Sequence, residues 1–152
     1  MCKVGAFVVA YCGAEFLDRA IPMMSRHLRW FWLYNIRHNG GYPIMHNKNI
    51  EVTSKPVIAY TNGYVDSAKV QRSHVDFLND APEKGLHPWQ QGIAFPAWQI
   101  VLRTQPGELV LDPFMGSGNI LAAAVTMGRH VIGIDIEQKW CDVAIARLEK
   151  ML

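Results

Sequence analysis

The chain has 152 residues, 50% of them hydrophobic and 18% charged, with a formal net charge of +2. That length fits one domain, and the apolar content excludes disorder throughout. No run of 18 apolar residues offers a helix that spans a membrane.

Six of the 15 Lys/Arg fall in residues 19–55, against the single acid Glu51. This locally basic stretch is interleaved with aromatics. It reads either as a nucleic-acid footprint or as scattered solvated charges. The cysteines Cys2, Cys12 and Cys141 are odd in number and lack metal-ligand spacing. They indicate a reducing compartment without a disulfide. Residues 1–12 lack a small-residue cleavage site and are not read as a signal peptide.

In chain order, Gly5–Tyr11 is a continuous apolar run and predicts a buried strand. Ala14–His27 has helical spacing with Pro22 inside it, which predicts a kinked or split helix. Leu28–Ile36 is aromatic and strand-like, His38–Gly41 a turn, and Lys55–Tyr60 a strand ended by Asn62-Gly63. Residues 64–88 are polar and rich in turn formers, so they read as a loop or linker with one short helix.

Phe95–Arg103 is an amphipathic helix stopped by Thr104-Gln-Pro-Gly107. Glu108–Leu111 is a strand, Asn119–Met127 an Ala-rich helix, His130–Ile136 a second buried strand and Glu137–Leu152 a final helix. Strand, glycine loop, helix, strand and helix form a βαβ unit with a parallel sheet, and the fold class is α/β.

The loop Gly116-Ser-Gly118 leaves a strand and opens a helix. Ligands bind at that place in α/β sheets. The glycines permit close backbone approach, and free N–H groups at the helix start attract a carboxylate or phosphate. Asp135 ends the next strand, 23 residues after Asp112, where an acid accepts hydrogen bonds from ribose. The alternative is a plain strand–helix turn beside a solvated Asp. A dinucleotide fingerprint needs a third glycine where Leu121 stands, and no Lys follows the loop as in a P-loop. A smaller ligand carrying adenosine and one carboxylate fits better.

Asp112-Pro-Phe-Met-Gly-Ser-Gly-Asn119 resembles the D-P-F-x-G-S-G-T/N loop of the N6-adenine and N4-cytosine DNA amino-methyltransferases, which use S-adenosylmethionine. The resemblance continues through Gly128-Arg129, Ile132-Gly-Ile-Asp135 and Trp140-Cys-Asp-Val-Ala-Ile-Ala-Arg-Leu148, with Trp140 in place of the common Tyr. Upstream, Lys84-Gly-Leu-His-Pro88 is similar to the H-P segment of the permuted group, in which the catalytic half comes first. Residues 84–148 carry the resemblance, and residues 5–63 share it only in outline.

The resemblance implies a Rossmann-like methyltransferase sheet and S-adenosylmethionine as cofactor. It places Asp112, Phe114, Gly116, Gly118 and Asn119 on the methionine side and Asp135 on the ribose. It also sets His87 near the methionine carboxylate and Trp140 against the adenine. For three of these a structural role stands beside the functional one: His87 as a loop residue, Trp140 as core, Phe114 as packing under the loop. The implied organisation is one incomplete domain. Residues 1–63 are the remainder of the catalytic and target half, 64–88 a linker or short target-recognition loop, and 89–152 the cofactor half.

One departure matters. The family's D/N/S-P-P-Y/F/W motif accepts hydrogen bonds from the target amine and stacks on the flipped base. This chain has no Pro-Pro dipeptide. The motif is expected upstream of Met1, with a central strand between those at residues 108 and 5. A sheet lacking that strand exposes two edges and apolar faces.

The implied function is a portion of a site-specific DNA methyltransferase of restriction–modification, phage or orphan type. It would act on double-stranded DNA in the cytoplasm of a bacterium or phage-infected host, without metal or membrane. No catalytic residue is assigned within the chain. Other readings are a cofactor- or DNA-binding subunit that needs a complementing chain or a second copy, a truncated remnant, and a methyltransferase of RNA or a small amine. The choice between adenine and cytosine stays open.

Overall fold

In the computed structural model, the described residues are 3–38, 44–45, 47–65, 75–80 and 92–151. The chain divides into two compact units, Met1–Asn79 and Asp80–Leu152.

The first unit contains a four-stranded sheet in the order β1-β5-β2-β6. Its strands are β1 (Phe7–Tyr11), β2 (Arg29–His38), β5 (Ser54–Thr61) and β6 (Phe77–Asp80). A small hairpin joins β3 (Ile44–Met45) to β4 (Ile50–Glu51), with Asn49 at φ 52° in its turn. Asn tolerates that left-handed conformation better than most residues.

Strand β5 is central and antiparallel to both β1 and β2. Its run Val57-Ile-Ala-Tyr60 is at most 1% exposed. A strand buried on both faces reads as a continuous apolar run, and this one does. Burying a side chain such as Ile58 contributes roughly 1.5–3 kcal/mol.

The β1–β5 ladder is closed at one end by Gly5 N–H to Asn62 O (2.7 Å) and Asn62 N–H to Ala6 O (2.9 Å). Strand β1 was expected to be buried, but all five of its residues are half-buried. Among the described residues it is paired on one side only, with β5.

A register shift in β2 pairs Trp30 with Tyr60 and Trp32 with Ala59. Residues 59 and 60 point to opposite faces, so this bulge sends the two Trp side chains to opposite faces of the sheet. Trp30 meets Tyr60 edge to face at 5.2 Å.

The predicted helix with Pro22 is a 3-10 turn (Ala14–Phe16) running into α1 (Leu17–Ser25). Pro22 lies inside α1, where it removes one intrahelical N–H. The Tyr60 hydroxyl donates to Ile21 O (3.2 Å) and ties α1 to β5.

The second unit begins with α2 (Ala94–Arg103) and continues through β7 (Leu109–Asp112), α3 (Asn119–Thr126), β8 (His130–Gly133) and α4 (Gln138–Glu149). Strands β7 and β8 are parallel, with Leu109 opposite His130 and Asp112 opposite Gly133. The expected βαβ crossover is present.

Its core gathers Ile100, Ala123 and Ala124, with Ile93, Ala97, Val110, Ile120, Met127 and Val131 packed against them. Three successive alanines, Ala122–Ala124, let α3 approach closely, and each is at most 3% exposed. Arg129 binds the ends of two helices. It donates from Nε to Thr104 Oγ1 (2.9 Å), from Nη2 to Thr104 O (2.7 Å) and from Nη1 to Met127 O (2.5 Å). Such bonds satisfy carbonyls that a helix terminus leaves unpaired.

Two further expectations are corrected. The strand from His130 was expected to run buried to Ile136. It stops at Gly133, and Ile132, Ile134 and Ile136 are exposed. Its neighbour β7 exposes Leu109 and Leu111, while Val110 and Val131 pack inward. Among the described residues, one face of this pair is therefore apolar and open. The loop expected over 64–88 contains strand β6, beside β2. The remaining sections of that loop, 66–74 and 81–88, lie outside the described residues.

Candidate functional site

The C-terminal ends of β7 and β8 carry the two loops that the sequence singles out. After Asp112, the chain turns through Pro113–Gly118 into α3; after Gly133, it turns through Ile134–Glu137 into α4. Backbone bonds hold the loops together: Ile134 N–H to Asp112 O (2.9 Å) and Met115 N–H to Ile134 O (3.0 Å).

Asp135 joins them further. Its Oδ2 accepts the Gly116 N–H (3.0 Å), and its Oδ1 accepts the Glu137 N–H (2.9 Å). A carboxylate offers about four acceptor positions, so two such bonds leave capacity for hydroxyl donors.

Both loop glycines stand at positive φ, Gly116 at 49° and Gly118 at 76°. Gly118 is also pressed against α4, where an added Cβ would come within 2.9 Å of Ala144 Cβ. Gly133 is under a similar constraint, because a Cβ there would overlap Met115 Sδ and Leu121 Cδ1.

Asp112 is 8% exposed, and its Oδ1 accepts the Phe114 N–H (3.0 Å). Burial pushes its carboxyl above the usual carboxylate range. The Phe114 bond opposes that rise, and the negative charge of Asp135 adds to it.

Phe114 projects outward at 88% exposure, which excludes packing beneath the loop. Asn119 is 8% exposed, and its Oδ1 accepts a hydrogen bond from Arg147 Nη1. Trp140 is half-buried in the first turn of α4 and donates from Nε1 to Glu137 Oε1 (3.3 Å). Lys139 Nζ lies 5.0 Å from the centre of its ring.

The structure therefore brings Asp112, Phe114, Gly116, Gly118, Asn119, Asp135 and Trp140 to one end of one βαβ unit. His87 lies outside the described residues. Sequence reasoning missed Gly133, Ala144 and Arg147 as parts of this site. All three stand in the quoted motif segments, but their partners are tertiary. Among the described residues, no group of three or more His, Cys, Asp or Glu could hold a metal ion. Nor is any described helix long and apolar enough to cross a membrane.

A family model described as DNA methylase matches residues 21–146. The chain belongs to this DNA methylase family. Among curated relatives, the type II methyltransferase M.HinfI of Haemophilus influenzae is 38% identical over 74 residues, 49% of this chain and 21% of that protein. The type II methyltransferase M2.DpnII of Streptococcus pneumoniae is 40% identical over 65 residues, 43% of this chain and 24% of that protein. The methylase chain thus matches under a quarter of the length of either relative.

Among solved structures, the M1.HpyAVI–SAM complex superposes with a TM-score of 0.78 at 21% identity, covering 96% of this chain and 76% of the other. The PvuII DNA methyltransferase, described as cytosine-N4-specific, superposes with a TM-score of 0.72 at 17% identity, covering 93% and 62%. These likenesses establish the α/β methyltransferase fold of the family member.

Proposed function

We propose that this chain carries the cofactor-binding half of a site-specific DNA amino-methyltransferase. Its cofactor is S-adenosylmethionine, and its target is the exocyclic amine of adenine (N6) or cytosine (N4). The observation that carries this reading is the Asp135 carboxylate bonded to Gly116 N–H at the mouth of a βαβ unit. In this reading the Asp135 carboxylate is the ribose acceptor, and the bond keeps it beside a glycine loop whose backbone opens α3.

The residues present fit the cofactor. Asp135 would hold the ribose hydroxyls, and the loop backbone around Gly116–Asn119 would meet the methionine end. Phe114 would line the methionine side, and Trp140 would offer apolar surface to the adenine. Bound S-adenosylmethionine supplies an electrophilic methyl group. The chain's own part is to fix the cofactor's orientation. The D/N/S-P-P-Y/F/W motif that would aim the target amine is absent, so the chain alone transfers no methyl group.

Duplex DNA is the macromolecular partner in this reading. Trp30 and Trp32 are 42% and 50% exposed, and the Arg29 guanidinium lies 5.4 Å from the Tyr64 ring centre. These exposed aromatic and basic side chains of the first unit, on either face of its sheet, support a nucleic-acid contact. The site of action is the cytoplasm of a bacterium or phage-infected host.

A second reading adds a complementing chain or second copy that supplies the missing strand. The open apolar face of Leu109, Leu111, Ile132 and Ile134 favours it. So does the one-sided pairing of β1 and β7 among the described residues. Titrating S-adenosylmethionine into the chain by calorimetry tests the first reading. Saturable binding that is lost in Asp135→Ala is expected, and equal binding by that variant would refute the ribose assignment. Native mass spectrometry tests the second, and a stable lone monomer in the presence of a chain carrying the missing motif would count against it.

A further inference from the structure

Arg147 lies in the last turn of α4. A cation there favours the C-terminal end of its own helix dipole, and that alone would account for a solvated arginine. The side chain goes elsewhere, however. Nη1 reaches across to Asn119 Oδ1, 28 residues earlier, at the first position of α3. A cation beside a helix N-terminus is disfavoured by that helix's dipole. Among the described residues, Arg147 forms no ion pair with a carboxylate that would offset the cost.

The same helix meets the loop a second time. Ala144 is 1% exposed, and its Cβ stands where a Gly118 side chain would have to go. Gly118 is the residue before α3, in the left-handed conformation, and its carbonyl accepts the Ala122 N–H (2.8 Å). Two consecutive residues at the start of α3 are thus held by α4, one by contact and one by a charge-assisted hydrogen bond. On its other side the loop is held by Asp135, through Gly116 N–H. The Asn119 side-chain oxygen is thus engaged by Arg147.

We propose that Arg147 is a positioning residue for the glycine loop. By holding Asn119 Oδ1 it fixes the first turn of α3, and with it the backbone N–H groups of residues 116–119. Its effect on a ligand rests on the S-adenosylmethionine reading above; its effect on the loop does not.

The test uses the full chain with Arg147→Met, Arg147→Lys, Asn119→Ala and the double variant Asn119→Ala/Arg147→Met. Amide hydrogen exchange of residues 114–121 is followed by mass spectrometry, alongside S-adenosylmethionine affinity by calorimetry. Arg147→Met is expected to speed exchange in that segment at least tenfold and to weaken the cofactor at least tenfold. Exchange in α2 and β8 should stay unchanged. Arg147→Lys should recover part of both effects, and the double variant should be no worse than the stronger single one.

Unchanged loop exchange in Arg147→Met would overturn the proposal. So would faster exchange throughout residues 92–151, which marks a merely structural role. Unchanged affinity in a variant of a wild type that does bind would overturn it too. If the wild type binds no cofactor but loop exchange responds as expected, the cofactor reading fails and the positioning role stands. If Arg147→Met does not fold, Arg147→Lys and Asn119→Ala decide by the same exchange measurement.

Discussion

Strand β5 and the β7–β8 pair are spelled alike and buried differently. Lys55-Pro-Val-Ile-Ala-Tyr60 and His130-Val-Ile-Gly-Ile-Asp-Ile136 are both short apolar runs rich in β-branched residues. In β5, neighbours on both sides leave Val57–Tyr60 at most 1% exposed. In β8, Val131 packs inward while Ile132 is 48% exposed, and in β7 Leu111 is 50% exposed. The apolar run says that a strand can be buried on both faces. It does not say that both covers belong to the same chain.

The largest expected effect lies in the fully buried strand. Ile58→Ala removes a side chain that is 1% exposed. It should cost about 2–5 kcal/mol in urea unfolding, because transfer and cavity terms add. A loss below about 1 kcal/mol would erase the contrast between the two regions.

Gly118→Val comes next. A branched side chain at φ 76° meets Ala144 at 2.9 Å, so strain and overlap act together. A loss of about 2–3 kcal/mol and of measurable cofactor binding is expected. Retained affinity would mean that the loop is only a turn.

For Asp135, the structure refines the simplest expectation. Asp135→Ala unpairs two backbone N–H groups, those of Gly116 and Glu137, and should cost about 1–2 kcal/mol besides abolishing cofactor binding. Asp135→Asn keeps one oxygen acceptor and should lose less stability while still losing most of the affinity. Equal affinity in Asp135→Asn, measured by calorimetry, would show that the charge is not used.

Asp112→Asn should separate stability from binding. Burial raises the folded carboxyl above its unfolded value. The stability linked to this group is therefore full below the unfolded pKa and declines as pH rises through the folded one. The variant lacks that decline, so its melting temperature should equal the wild type's near pH 4 and exceed it near pH 8. A gap that narrows with rising pH would contradict the burial argument.

The smallest effect is Leu111→Ala on the open face. It should cost less than about 0.5 kcal/mol in the chain alone, as exposed positions do. A loss as large as that of Ile58→Ala would show that the face is covered.

Much of the fold was legible because the local signals agree. Glycines at positive φ mark the turns at Gly63, Gly107 and Gly128, and the strands and helices between them follow their apolar spacing. Strand β6 was not legible, because Asn79 and Asp80 are turn formers that pairing beside β2 overrides. In the candidate site, the meeting of Asp112, Gly116, Gly118 and Asp135 at one end of the βαβ unit was legible, because a glycine loop and an acid that follow successive parallel strands come to the same edge. Arg147 could not, since a basic residue in a last helical turn looks like a solvated charge until its partner is seen.

The most direct measurement is hydrogen exchange of the full chain with and without saturating S-adenosylmethionine. Added protection is expected at residues 112–119 and 134–140, at the ends of β7 and β8, and around His87 only. Protection elsewhere, or none at any cofactor concentration, would contradict the claim that this βαβ unit is the cofactor site.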